Sequence, residues 1–249
     1  RLVNGNVWSI PVILQIDEEM FDEVKNEEQV ILSYIGDKED YAILSVEQIY
    51  ELNKSETLKK WFGTDDSRHP GVSYIGNKGK YAIGGKIQSL QNSFNISGNI
   101  YELNPEQTRL IFSERGWSKV VGFHTRNMVH RAHEYIQLDA LHKEGCDGLF
   151  IHPVVGDKKK GDFVRELIIE SYHYMLNKVY PRGKVVLSPF FSYSRFSGPR
   201  EAVFTAIIRK NFGCSHFIVG RDHTGVSNYY EPKESHHIFN NFTYEELGI

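Results

Sequence analysis

Apolar residues fall in short, closely spaced runs over the first part of the chain: Trp8 to Ile16, Val30 to Ile35, Tyr41 to Val46, Val72 to Ile75 and Tyr81 to Leu90. Turn-forming stretches separate them, among them Ile35-Gly-Asp-Lys-Glu-Asp40 and Gly76-Asn-Lys-Gly79. Runs divided in this way predict a small β-rich domain, with helices near Val46 to Leu52 and Ser55 to Phe62. From Pro105 the pattern changes. Strands near Val120, Leu149, Val185 and Phe217 alternate with helical stretches at Gln107 to Arg115 and Met128 to Leu141, and with helices beginning near Asp162 and Arg200. That alternation predicts a parallel sheet with crossover helices. The fold class is therefore α/β, with a β-rich domain over residues 1–105 and the parallel-sheet domain over residues 106–249.

The densest chemistry lies in Val120-Val-Gly-Phe-His-Thr-Arg-Asn-Met-Val-His-Arg-Ala-His-Glu134. Val120 to Phe123 read as a buried strand, Thr125 to Asn127 as a turn, and Met128 onward as a helix whose apolar residues Val129, Ala132, Ile136 and Ala140 recur at helical spacing. A helix N-terminus offers free N–H groups and a positive dipole end, which suits an anion. Arg126 adds a planar, five-donor fork, and His130 and His133, three apart, are expected on one helical face beside it. A second turn of the same kind follows an apolar strand at Ile218-Val-Gly-Arg-Asp-His-Thr-Gly225. Ligands of open α/β sheets sit beyond the carboxyl ends of the strands, so two charged turns on neighbouring strands would converge on one crevice.

Taken with Gly198-Pro-Arg-Glu-Ala202 and Ile207-Ile-Arg-Lys-Asn-Phe-Gly213, these segments resemble the ATP sulfurylase (sulfate adenylyltransferase) family in order and spacing. The likeness extends back through Gly116-Trp117, His69-Pro-Gly-Val72 and Asn4-Gly-Asn-Val-Trp-Ser-Ile-Pro-Val12, and so covers essentially the whole chain. It implies an N-terminal PUA-like barrel and a Rossmann-like nucleotidyltransferase domain. The implied reaction is that of ATP with sulfate, or a similar oxyanion, to adenosine 5'-phosphosulfate and pyrophosphate, with Mg²⁺ accompanying ATP. Carried over residue by residue, the catalytic set is Arg126, Asn127, His130, His133 and Arg221. His124, Thr125, Gly220, Asp222, His223 and Thr224 are implied to line the substrate and nucleotide sites, and no resident metal is implied. A homo-oligomer is expected. Two positions depart from the family motif: His124 stands where the family has glutamine, and Met128 where it has proline. A neutral imidazole donates one hydrogen bond as an amide does, whereas an imidazolium would tie activity to a pKa of about 6.5. His124 therefore leaves open a relative that uses another anion or a phosphorylated acceptor.

Composition narrows the rivals. The formal net charge of −3 carries no basic footprint of the kind nucleic acid or anionic membrane selects, which weighs against an RNA-binding PUA-like protein that has lost catalysis. No run approaches the roughly 18 apolar residues of a membrane span, and no secretory segment is visible. The two cysteines, Cys146 and Cys214, form no ligand pattern or disulfide framework, so a reduced cytoplasm is the expected setting and the sequons at Asn53, Asn95 and Asn241 are read as chance. Both ends are expected to be trimmed, since the chain starts at Arg1 and stops at Ile249 where the family usually continues. Glu134 directly follows His133, so neither zinc-protease pattern is present, and no G-x-x-x-x-G-K-[ST] loop exists. Lys158-Lys-Lys160 is a solvated loop with a possible pull on polyphosphate; His69 is a turn residue or an interdomain contact; Arg200 and Glu201 are expected to pair.

Overall fold

The computed structural model describes residues 1–33, 39–90, 101–143, 145–156, 161–221, 223–226 and 228–249, and the chain divides into two compact units. One comprises Ile10–Ile96; the other comprises Arg1–Ser9 with Ser97–Ile249.

The first unit is a four-stranded antiparallel sheet in the order β1 (Leu14–Ile16), β4 (Tyr81–Ser89), β3 (Asp40–Glu51), β2 (Gln29–Ser33). Ile16, Leu44 and Ile83 form its core, joined by Phe21 of α1 (Glu18–Val24), whose ring stacks on Tyr81 at 4.0 Å. Two expectations fail here for physical reasons. The helix expected near Val46 to Leu52 is the second half of β3, which pairs with β4 as far as Glu51↔Tyr81. The register shifts between Val46 and Gln48. A bulge adds one residue to the strand, so Val46 and Ile49, an odd number apart, both reach the core and imitate helical spacing. The run Val72 to Ile75 is not a strand but lies in α3 (Pro70–Gly76). His69 caps this helix: its Nδ1 accepts the N–H groups of Gly71 and Val72 at 3.1 and 3.2 Å, with Pro70 opening the first turn. His69 is thus a buried structural cap. The expected helix at Ser55 to Phe62 is present as α2 (Lys54–Phe62).

The second unit is built on a parallel sheet ordered β7 (Val185–Leu187), β6 (Gly148–Pro153), β5 (Val120–Thr125), β8 (His216–Ile218). Every residue of β6 is buried, as a central parallel strand covered on both faces requires. On one face Val121, Phe123, Leu149, Ile151 and Val185 meet α5 (Arg131–Lys143) and α6 (Arg165–Lys178) through Leu141, Ile168, Tyr172 and Met175. On the other, Val120, Phe150 and Val186 pack with Phe112 of α4 (Pro105–Glu114) and with Phe212 and Ile208 at the end of α7 (Pro199–Asn211). The N-terminal residues Val7 and Trp8 pack on α7 as well, with Leu247 of α9 (Tyr244–Leu247) and residues around α8 (Glu234–His237). Among the described residues no helix is long and apolar enough to cross a membrane.

Candidate active site

Strands β5 and β8 are neighbours and run parallel, with Val121↔His216, Gly122↔Phe217 and Phe123↔Ile218 in register. Their carboxyl ends therefore deliver both charged turns to one edge of the sheet. His124, the penultimate residue of β5, and His223, from the turn beyond β8, bring their ring centroids to 5.0 Å.

The first turn differs from expectation in one respect. The helix predicted from Met128 begins only at Arg131, so His130 stands before it and accepts the Glu134 N–H on its carbonyl at 3.0 Å. Side chains hold the backbone ahead of the helix: Asn127 N–H donates to Thr125 Oγ1 at 3.1 Å, and Val129 N–H to Ser171 Oγ at 3.3 Å. His130 and His133 nevertheless share a face, with stacked rings 3.7 Å apart. Burial, then the neighbouring His130, pushes the His133 pKa down to about 4, against a smaller opposing pull from the Met128 carbonyl. His133 is thus a neutral imidazole near pH 7. Arg126 lays its guanidinium over the Phe196 ring at 5.2 Å, and its Nη1 is buried with no partner. His124 Nδ1 and His133 Nδ1 are likewise buried and unpartnered. Such groups in a native fold call for a water or a ligand.

In the second turn Arg221 is exposed, Asp222 lies outside the described residues, and His223 and Thr224 are buried. Thr224, between Gly220 and Gly225, takes a left-handed backbone at φ 52°. His223 Nε2 lies 2.7 Å from Thr205 Oγ1, and Thr205 donates its own proton to Ala202 O at 3.0 Å. A hydroxyl has one proton to give, so His223 carries its hydrogen on Nε2 and leaves Nδ1 as an acceptor. Burial, then the charge of Arg209, depresses the His223 pKa to about 3.

Arg209 is the largest fully buried side chain and was not singled out by its sequence context. It donates through Nη2 to His152 O at 2.9 Å and lies over the Phe190 ring at 5.3 Å. A Cβ at position 122 would stand 2.9 Å from its Cγ, so only glycine in β5 lets it pass beneath the strand. Burial lowers its pKa to about 9. After burial itself, its charge is the largest cause holding His124 and His152 well below the ordinary histidine range. His124 is therefore a neutral donor, like the amide it replaces. The segment before α7 also contributes: Phe196 takes φ 60°, and Tyr230 Oη donates to its carbonyl at 2.9 Å. Glu201 does not pair with Arg200, which is exposed; its carboxylate accepts the Arg195 and Ser197 N–H groups at 2.9 and 3.0 Å. Lys158, Lys159 and Lys160 lie outside the described residues.

The second unit is an α/β domain whose two adjacent parallel strands end in turns that carry arginines and histidines, and an antiparallel domain lies in the same chain. Residues 99–249 match the ATP-sulfurylase family and residues 1–92 match a PUA-like domain, and the chain belongs to the ATP-sulfurylase family. It is 43% identical over 249 residues to a sulfate adenylyltransferase of Halothermothrix orenii, covering 100% of this chain and 64% of that protein. With the sulfate adenylyltransferase of Thermococcus onnurineus it shares 45% identity over 251 residues, covering 100% of this chain and 63% of the relative. The chain thus spans just under two thirds of the length of these relatives. Its fold is also that of a solved structure named hexameric APS kinase from Thiobacillus denitrificans, at TM-score 0.71 and 18% identity, covering 100% of this chain and 42% of the other.

Proposed function

We propose that this chain carries the adenylyl-transfer site of a sulfate adenylyltransferase. A sulfate oxygen attacks the α-phosphorus of ATP in line, the new S–O–P linkage forms, and the bond to the bridging oxygen breaks to release pyrophosphate. Asn127, His130 and His133 hold phosphate oxygens, while Arg126 and Arg221 hold sulfate, with the neutral His124 donating to it. Thr125, Gly220, His223 and Thr224 line the nucleotide and anion sites. Both reactants are anions, so positioning and charge stabilisation carry the catalysis and no covalent enzyme intermediate is needed. Mg²⁺ enters as part of the substrate, bound through the ATP phosphates and water.

The observation that carries this reading is the meeting of His124 and His223, 5.0 Å apart, which joins the two turns in one site. The test is pyrophosphate release from Mg·ATP with and without sulfate, with other oxyanions alongside. Sulfate-dependent release is expected. Release supported only by another acceptor would reassign the substrate.

A further inference from the structure

The segment ahead of α7 sets Phe196 in a conformation that its side chain disfavours. At φ 60° a bulky residue occupies the left-handed region, which side chains other than those of Gly, Asn and Asp rarely adopt. Two side chains fasten the backbone around it. Glu201, buried in the first turn of α7, accepts the Arg195 N–H on one carboxylate oxygen at 2.9 Å and the Ser197 N–H on the other at 3.0 Å. Tyr230, from the segment that follows the second charged turn, donates its hydroxyl to the Phe196 carbonyl at 2.9 Å. The Tyr230 ring crosses Gly198, where a Cβ would stand 2.6 Å from a ring carbon, so only glycine admits it. Backbone groups of three consecutive residues are thus held by side chains, and the strained conformation persists because its surroundings over-determine it. The ring presented in this way meets Arg126, whose guanidinium carbon lies 5.2 Å from the ring centroid.

We propose that Phe196 is a positioning residue for the oxyanion acceptor, a platform that holds the Arg126 guanidinium in place while leaving its N–H donors free for the anion. The chemistry of the contact supports this. A carboxylate partner would neutralise the arginine and take two donors of its fork, whereas an aromatic face attracts the cation and takes none. Arg126 Nη1 is buried and has no partner, the state that such a platform leaves behind. The attraction between a cation and a ring also grows as water is excluded. Glu201 uses both oxygens on backbone N–H groups, so it builds the platform without offering Arg126 a competing ion pair. A guanidinium already fixed in place loses less freedom when the oxyanion arrives, which favours affinity for that reactant in particular.

The consequence for sulfate rests on the adenylyl-transfer reading proposed above; the platform does not, and two readouts separate them. The Arg126 Nε–H resonance is followed by NMR in the full, ligand-free chain, assigned by its loss in Arg126→Lys. KM for sulfate and KM for ATP are measured by pyrophosphate release in the same proteins. Phe196→Leu keeps an apolar side chain and removes the ring face; Phe196→Tyr keeps the face. In Phe196→Leu the resonance is expected to move, as the shielding of the ring is lost. KM for sulfate is expected to rise by about five- to thirtyfold, the worth of a desolvated cation–ring contact, while KM for ATP changes less than about twofold. Phe196→Tyr should restore both readouts. Tyr230→Phe leaves Phe196 intact and releases its carbonyl, and the same changes, smaller, are expected. A resonance that moves in Phe196→Leu, in a chain whose wild type makes no pyrophosphate with sulfate, would support the platform and count against the proposed function alone. A resonance unmoved in Phe196→Leu would overturn the platform. KM values for sulfate and ATP that rise together, or a loss of turnover that only tracks the folded fraction by circular dichroism, would overturn its role in placing the anion.

Discussion

His223 makes the sharpest physical prediction, because its burial couples the active site to acid stability. In the folded chain burial and Arg209 hold its pKa near 3, against an ordinary value of 6.5. Between those values the unfolded chain binds a proton that the folded chain refuses. Stability therefore rises with pH across this window; the contribution is intact above 6.5 and lost as pH falls toward 3. At about 1.4 kcal/mol per pH unit, complete loss amounts to roughly 4–5 kcal/mol, and the part lost between pH 7 and pH 5 to about 2 kcal/mol. His223→Gln keeps a side-chain donor near Thr205 and removes the titration. Urea denaturation followed by circular dichroism, for both proteins at pH 7 and pH 5, isolates the effect, since His124, His133 and His152 titrate in both. Wild type should lose about 2 kcal/mol more than the variant over that interval. Parallel losses would refute the buried neutral imidazole.

Three further outcomes follow from the same geometry. Gly122→Ala drives a methyl to 2.9 Å from Arg209 Cγ, and should destabilise by about 1–3 kcal/mol in thermal or urea unfolding; an unchanged midpoint would show that Arg209 does not pass there. His124→Gln exchanges one neutral donor for another and should leave the preference for sulfate over other oxyanions unchanged in competition assays, whereas a switched preference would make position 124 the specificity determinant. Because burial already holds His124, His133 and His223 below their ordinary range, ATP affinity by calorimetry should vary little between pH 6 and 8, and a steep loss across about pH 6.5 would show that imidazolium is required.

The parts visible in the sequence were those with local causes. Arg126 and Arg221 stand at strand-to-turn junctions, and strand alternation placed both turns on one sheet edge; the direct pairing of β5 with β8 then brought them together. What was hidden depends on tertiary contacts. The helical spacing of Val129 extended the expected helix too far, because Val129 packs against the core from the segment ahead of the helix, which starts at Arg131. Val46 and Ile49 looked helical because a bulge moved both to one face. Arg209 and Thr205 lie on α7, which is buried along most of its length, so no polar stripe marks the inward residues. Phe196 becomes a platform for Arg126 only through a left-handed backbone that its sequence does not announce. Proline at the first turn of α3 was a readable helix signal, and His69 as its cap could have been inferred from it.

The central claim is that the turns beyond β5 and β8 hold ATP and sulfate together for direct transfer. The most direct test is exchange of labelled pyrophosphate into ATP by the full protein, with and without sulfate, in wild type and Arg126→Ala. Exchange that requires sulfate and falls by orders of magnitude in Arg126→Ala is the predicted result. Exchange without sulfate would require an enzyme-bound adenylate and contradict direct transfer, and undiminished sulfate-dependent exchange in Arg126→Ala would contradict the assignment of the site.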